Sequence, residues 1–299
     1  MERIDSHLGH SHGLKDFGAA FAVGVTLNLA YVIAQIVFGI AAHSLALLAD
    51  AGHNFGDVLG LLLAWGAVYL SKTRPTPRRT YGLGRSSILA ALANAVLLLV
   101  AVGGITWEAI RRFSNPGEVG GRTVMAVAAI GIAINGLTAF LFFAGRKHDL
   151  NIKGAFLHMA SDAAVSVGVV MAGAFIILTG GHWIDAAASL IINAVIIWST
   201  WGLLRDSIAM ALDLVPANVD PIAVRTYLEF QEGVTAVHDL HIWPLSTTRT
   251  ALTVHLEMPG GSAGDEFLHE LCEDLHDEFG IEHSTVQIEQ NAEACSLAP

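Results

Sequence analysis

Residues 48–57 read Leu48-Ala49-Asp50-Ala51-Gly52-His53-Asn54-Phe55-Gly56-Asp57, inside an apolar run from Ser44 to Leu70. A helix that crosses a bilayer needs about 20 mostly apolar residues, and this run exceeds that length. Asp50, His53 and Asp57 therefore read as ionisable side chains within a membrane helix. A carboxylate costs at least a few kcal/mol there, so each needs a partner or a task. A second apolar run, Ile152–Thr179, carries His158-Met159-Ala160-Ser161-Asp162. In both runs His and Asp stand four residues apart, which places them on one helix face, one turn from each other.

Six segments reach spanning length: Phe17–Ile40, Ser44–Leu70, Ser87–Arg111, Gly120–Gly145, Ile152–Thr179 and Trp183–Leu212. The first two are joined only by Ala41–His43, a tight hairpin link. Small residues run through all six, as close helix packing in lipid requires. Of the 299 residues, 53% are hydrophobic and 14% charged, well under the charged share of about a quarter usual in soluble domains. The first apolar run is too long for the core of a cleavable signal.

Lysine and arginine set the orientation. One side of a six-helix arrangement collects Arg3, Lys15, Lys72, Arg74, Arg78, Arg79, Arg85, Arg146, Lys147, Lys153 and Arg205; the other has only Arg111, Arg112 and Arg122. Both termini are expected in the cytoplasm, and the protein in the inner (plasma) membrane. Residues 213–299 hold sixteen acids against Arg225 and Arg249, a net of −14, whereas residues 1–212 carry +3. Two physically different domains follow. So acidic a tail excludes nucleic acid, whose phosphates require a basic face.

Past Leu212, Val215-Pro216 and Asp220-Pro221 mark a linker. A helix at 221–231, strands at 235–243 and 250–257, a helix at 263–279 and a strand at 284–289 then suggest a small α+β sandwich of ferredoxin-like form. The expected fold class is thus a polytopic α-helical membrane protein of six transmembrane helices with a C-terminal α+β ferredoxin-like cytoplasmic domain. Its divisions are a His-containing tail (1–15), a membrane domain (16–212), a cytoplasmic domain (213–290) and a disordered tail (291–299).

If the two His–Asp helices face each other, two imidazoles and two carboxylates converge, the number and kind of ligand that zinc accepts in tetrahedral geometry. The plainer alternative makes each pair a hydrogen bond within its helix or a bolt between helices; two identical pairs weigh against it. Asp50, one turn earlier, suits a water or proton path and stays outside the ligand set. Asn28, Gln35, Asn94 and Asn135 read as interhelical hydrogen bonders. Histidine binds metal when neutral and aspartate when ionised, so protons and metal compete for such a site. There is no P-loop, so the energy must come from a gradient.

The stretch Leu48–Asn54 with Asp57, the His158/Asp162 pair, and Val237-His238-Asp239-Leu240-His241-Ile242-Trp243 resemble the cation diffusion facilitator family, in its zinc-transporting branch. The resemblance implies a homodimer that exports Zn2+ (with Cd2+ or Co2+) from the cytoplasm in exchange for protons. It implies a transport site of His53, Asp57, His158 and Asp162, with no organic cofactor. Manganese is disfavoured, because relatives that carry it typically have Asp at the position of His53. It also implies regulatory metal binding near His238, His255, His283 and Glu289. Strand alternation agrees only in part: His255 shares the polar face with Thr253 and Glu257, whereas His238, in line with Leu240 and Ile242, reads as core-facing. The other reading of this region is an acidic solvated surface with scattered histidines.

His7, His10 and His12 form a weak N-terminal metal signal. Cys272 and Cys295 form no CxxC pair and no disulfide framework, and suit a reducing compartment. Two other classes remain in view. An intramembrane metalloenzyme would need a base beside an open metal position, such as HExxH, which does not occur. A membrane metal sensor would not need the duplicated His–Asp pair.

Overall fold

In a computed structural model, the chain is described over residues 17–71, 73, 75–143, 150–261 and 264–291. His7, His10, His12 and Cys295 lie outside the described residues, as do the N-terminal tail and all but Asn291 of the C-terminal one. Six long helices come first: α1 (Phe17–Ala41), α2 (Leu45–Ser71), α3 (Ser86–Ser114), α4 (Gly121–Phe142), α5 (Leu150–Thr179) and α6 (Trp183–Ala211). Lipid offers no partner to a bare peptide group, so apolar segments of this length settle as helices that satisfy their backbone internally. Among the described residues, four of the helices are long and apolar enough to cross a membrane, those within α3, α4, α5 and α6. The protein is an integral membrane protein with a C-terminal domain built on a small sheet.

The chain forms two compact units, residues 1–61 with 98–198, and residues 62–97 with 199–299. In the first, Ala46, Leu47, Val102, Val124, Ala128, Val169 and Ile196 centre the core. Glycines let α4 and α5 approach: a Cβ on Gly121 would stand 2.9 Å from the Gly173 carbonyl oxygen, too close for any other residue. The α1–α2 turn closes through Ser44 N–H to Gly39 O at 2.9 Å, with His43 at φ +53°. The start of α2 is then fixed by a buried carboxylate. Asp185 accepts from Ser44 Oγ at 2.5 Å and from the Leu45 and Ala46 amides at 2.6 and 3.4 Å. These are donors that the helix itself cannot satisfy.

The second unit holds the C-terminal domain. Helix α7 (Pro221–Glu229) begins at Asp220, whose side chain accepts from the Ile222 and Ala223 amides. The sheet runs in the order β1 (Ala236–Pro244), β2 (Thr250–Glu257), β3 (His283–Glu289). β1 and β2 are antiparallel, and β2 and β3 parallel; α8 (Asp265–Phe279) makes the crossover that a parallel pair requires. Val224, Leu228, Leu252, Val254, Leu256, Leu271 and Leu275 fill the space between helices and sheet. The α2–α3 connection belongs to this unit too: Arg85 pairs with Asp213 at 2.5 Å and Ser87 Oγ accepts from the Thr247 amide at 3.0 Å.

Candidate metal centres

His53 and Asp57 leave α2 one turn apart, and His158 and Asp162 leave α5 in the same way. Together they close a ring in which imidazole and carboxylate alternate. His53 Nε2 lies 3.1 Å from Asp162 Oδ1 and 3.8 Å from Asp57 Oδ2. His158 Nε2 lies 3.6 Å from Asp57 Oδ2 and 3.6 Å from Asp162 Oδ2. Donor atoms of His53, Asp57 and Asp162 all fall within 4.8 Å of one another. A bond confined to one helix would leave the second pair elsewhere; here each imidazole touches both carboxylates. Asp57 Oδ2 is buried without a hydrogen-bond partner among the described residues, although both imidazoles lie near it.

Asp50 stands outside this ring. Its Oδ2 accepts from Gln35 Nε2 at 2.6 Å, and Asn54 Nδ2 donates to Gln35 Oε1 at 3.1 Å. Gln35 therefore hydrogen-bonds α1 to α2, the interhelical role expected of it from the sequence. Asn135 is buried but its Nδ2 has no partner among the described residues.

The C-terminal domain gathers a second cluster. His238 Nε2 lies 3.1 Å from Glu289 Oε2, and His255 Nδ1 lies 3.0 Å from Glu289 Oε1. Asp239 Oδ2 adds a contact of 3.4 Å to His255 Nε2. His238 is not core-facing, contrary to simple alternation. The β1–β2 register slips between His238, paired with His255, and His241, paired with Thr253. One extra residue on β1 reverses the phase of the strand. Val237 before the bulge and Ile242 after it are both buried, and His238 joins the polar face. Asp239 takes the bulge conformation, φ +50°, which Asp tolerates better than most residues. That placement makes Asp239 a member of the cluster that sequence reasoning missed.

His283 is not brought to this cluster. It opens β3, whereas Glu289 closes it, about 20 Å away at the usual rise per strand residue. Its ring packs edge-on against Tyr81 with centroids 5.6 Å apart. Cys272 Sγ accepts from Ser284 Oγ at 3.1 Å and stands apart from both clusters.

Membrane helices that converge two imidazoles and two carboxylates, joined to an acidic α+β domain, define a class of protein that handles cations within the bilayer. The chain belongs to the cation efflux family: it matches the cation efflux transmembrane domain over residues 21–210 and the cation efflux protein cytoplasmic domain over residues 216–291. It is a transporter and not an enzyme. The cadmium, cobalt and zinc/H(+)-K(+) antiporter of Bacillus velezensis is 34% identical over 95% of this chain and 92% of that one. The metal cation efflux system protein CzcD of Cupriavidus metallidurans is 35% identical over 94% and 90%, and the zinc transporter ZitB of Escherichia coli K12 is 36% identical over 90% and 86%. A solved structure, the metal-bound C-terminal domain of the Cupriavidus CzcD transporter, is 39% identical and covers 24% of this chain and 99% of its own, with a TM-score of 0.21.

Proposed function

We propose that the protein exports Zn2+, with Cd2+ and Co2+ as further substrates, from the cytoplasm in exchange for protons. The observation that carries this reading is the alternating ring of His53, Asp162, His158 and Asp57. With both imidazoles neutral the ring carries two negative charges in a low-dielectric surround. One divalent cation or two protons restores neutrality, so each displaces the other. Nitrogen and oxygen donors in equal number suit zinc better than the harder manganese or magnesium. The working form is a homodimer in the inner membrane, with six transmembrane helices and both termini cytoplasmic. Its divisions are residues 16–212 for transport and 213–290 for a ferredoxin-like regulatory domain.

In that domain His238, His255, Glu289 and Asp239 form the regulatory metal site. The donor set fits: His255 Nδ1 is buried without a hydrogen-bond partner among the described residues, and it lies 3.0 Å from a carboxylate oxygen, an arrangement that a shared cation relieves. His283 is left out of this set.

The test is zinc uptake into sealed proteoliposomes under an imposed pH gradient. Uptake that follows the gradient, and collapses with a protonophore, is the expected result. Zinc that binds without crossing would make the protein a sensor and overturn the proposal.

A further inference from the structure

The end of the helical unit opposite the termini carries a separate inference, which rests on the topology proposed above only for which side of the membrane supplies a proton. Three connections meet there. The α3–α4 loop enters α4 through two amides that are both taken: Val119 N–H donates to His182 Nδ1 at 3.0 Å, and Gly120 N–H donates to the Ala42 carbonyl at 2.9 Å. Ala42 belongs to the α1–α2 turn. His182 stands in the α5–α6 turn, where Gly180 at φ +67° ends α5 and the His182 amide closes on the Gly180 carbonyl at 3.1 Å.

These two bonds differ in kind. A peptide carbonyl accepts whatever the pH. An imidazole nitrogen accepts only while it carries no proton. A backbone amide can only donate, so Nδ1 of His182 is the bare nitrogen of a neutral ring. Protonation would set Nδ1–H against the Val119 N–H, donor against donor. Val119 is buried, so its amide has little water to turn to. Histidine changes charge between about pH 5 and 8, and His182 is only half-buried.

The ionisable groups on the surrounding elements are otherwise engaged or exposed. On α3, Glu108 is paired with Arg111 and Arg112, and Arg112 also donates to the His43 carbonyl at 2.8 Å. On α6, Asp185 is held by Ser44 and the first amides of α2. Glu118 in the α3–α4 loop, Arg122 on α4 and His43 in the α1–α2 turn are exposed, and the last turn of α5 carries no ionisable group.

We propose that His182 is a proton-operated latch on the extracytoplasmic side. Neutral, it pins the entry of α4 to the α5–α6 turn; protonated, it lets the α3–α4 loop go. The bond is present at high pH and lost as the pH falls. The seam therefore slackens on the side from which the antiport reading draws its protons. Gly120 keeps its bond to Ala42 in both states, so release is confined to one of the two ties.

The experiment places a nitroxide on Asn115→Cys in the full chain, with Cys272→Ser and Cys295→Ser, in lipid nanodiscs. Its mobility is read from about pH 8 down to about pH 5. With His182 present, the label should pass from restricted to mobile as the pH falls. His182→Asn puts an amide oxygen where Nδ1 stood, an acceptor that does not titrate, and should hold the label restricted throughout. His182→Ala, with no acceptor, should leave it mobile throughout. His43→Asn, a residue that tolerates the φ of +53° there, should keep the pH response and so separates the two histidines at this end. Mobility that ignores pH in the chain with His182 overturns the inference. So does a response that persists in His182→Asn or vanishes in His43→Asn, and so does a label restricted in a folded His182→Ala. Should His182→Ala fail to fold, His182→Asn decides. Sidedness is read apart: an impermeant maleimide should label Asn115→Cys in sealed right-side-out membrane vesicles. Labelling only after lysis would overturn the topology and leave the latch standing, with its proton drawn from the cytoplasm.

Discussion

Asp162 is the enclosed member of the His/Asp ring: its side chain is 3% exposed, against 32% for Asp57 and 43% for His158. A zinc ion bound there would lose its least replaceable oxygen with Asp162, because water reaches that corner least. Asp162→Ala and Asp57→Ala should each reduce zinc flux beyond the roughly 10–100-fold typical of outer-shell changes, with Asp162→Ala the more severe. Flux at equal expression in proteoliposomes is the check. His53→Asp replaces a borderline nitrogen by a hard oxygen and should admit manganese; an unchanged metal profile would place selectivity elsewhere. At this scale the ring was legible in the sequence, because two ligands on one helix face must be spaced by the helical repeat. The Gln35–Asp50 bond was legible only as two polar residues in apolar runs, and Tyr31, which also accepts from Gln35, not at all. Its members come from two different helices, α1 and α2, and no spacing within one segment encodes such a meeting.

Elements show where local rules and tertiary ones part. Helix lengths followed from apolar runs and breakers, and the alternation in β2 placed His255 correctly on the polar face with Thr253 and Glu257. Strand β1 broke the same rule at one residue. The insertion at Asp239 exchanges inside for outside, and the sequence shows it only as a fault in the pattern. A β-branched residue at φ +50° is strained, so Asp239→Val should distort the bulge and turn His238 from the cluster. The measurable consequence is weaker zinc binding by the C-terminal domain with the transport ring intact; Asp239→Gly, free of the strain, should keep the bulge and lose only one ligand. The N-terminus of α2 makes the complementary case. Asp185 satisfies two of its amides and Ser44 Oγ from α6, and Asp185→Ala leaves these donors without their acceptor. Each buried donor left unpaired costs about 1–3 kcal/mol, so the variant should melt well below the unaltered protein in detergent. An unshifted melting temperature would show that α2 is held by its packing alone.

Across the whole molecule, the charges divide: residues 213–299 carry −14 on a protein whose net charge is −11. Two such domains, side by side in a dimer, repel each other unless something offsets their fields. A cation bound at His238, His255, Glu289 and Asp239 would do so at a fixed point, whereas salt would only screen from outside. The two accounts differ in what they ask of the ion. Screening depends on charge and concentration, so zinc and magnesium should act alike. Binding depends on imidazole nitrogen, which magnesium shuns. The test uses the full chain carrying Asp57→Ala, so that the transport ring does not add its own response. Micromolar zinc should raise its melting temperature and strengthen its self-association, by about 2.7 kcal/mol of linkage at a hundredfold excess over the dissociation constant. Magnesium at the same concentration should do neither. His255→Ala with Glu289→Ala in the same background should abolish the zinc effect, and His283→Ala should leave it in place, since His283 lies at the far end of β3. A zinc response that survives the first pair, or that fails with His283→Ala, would move the regulatory site to other residues.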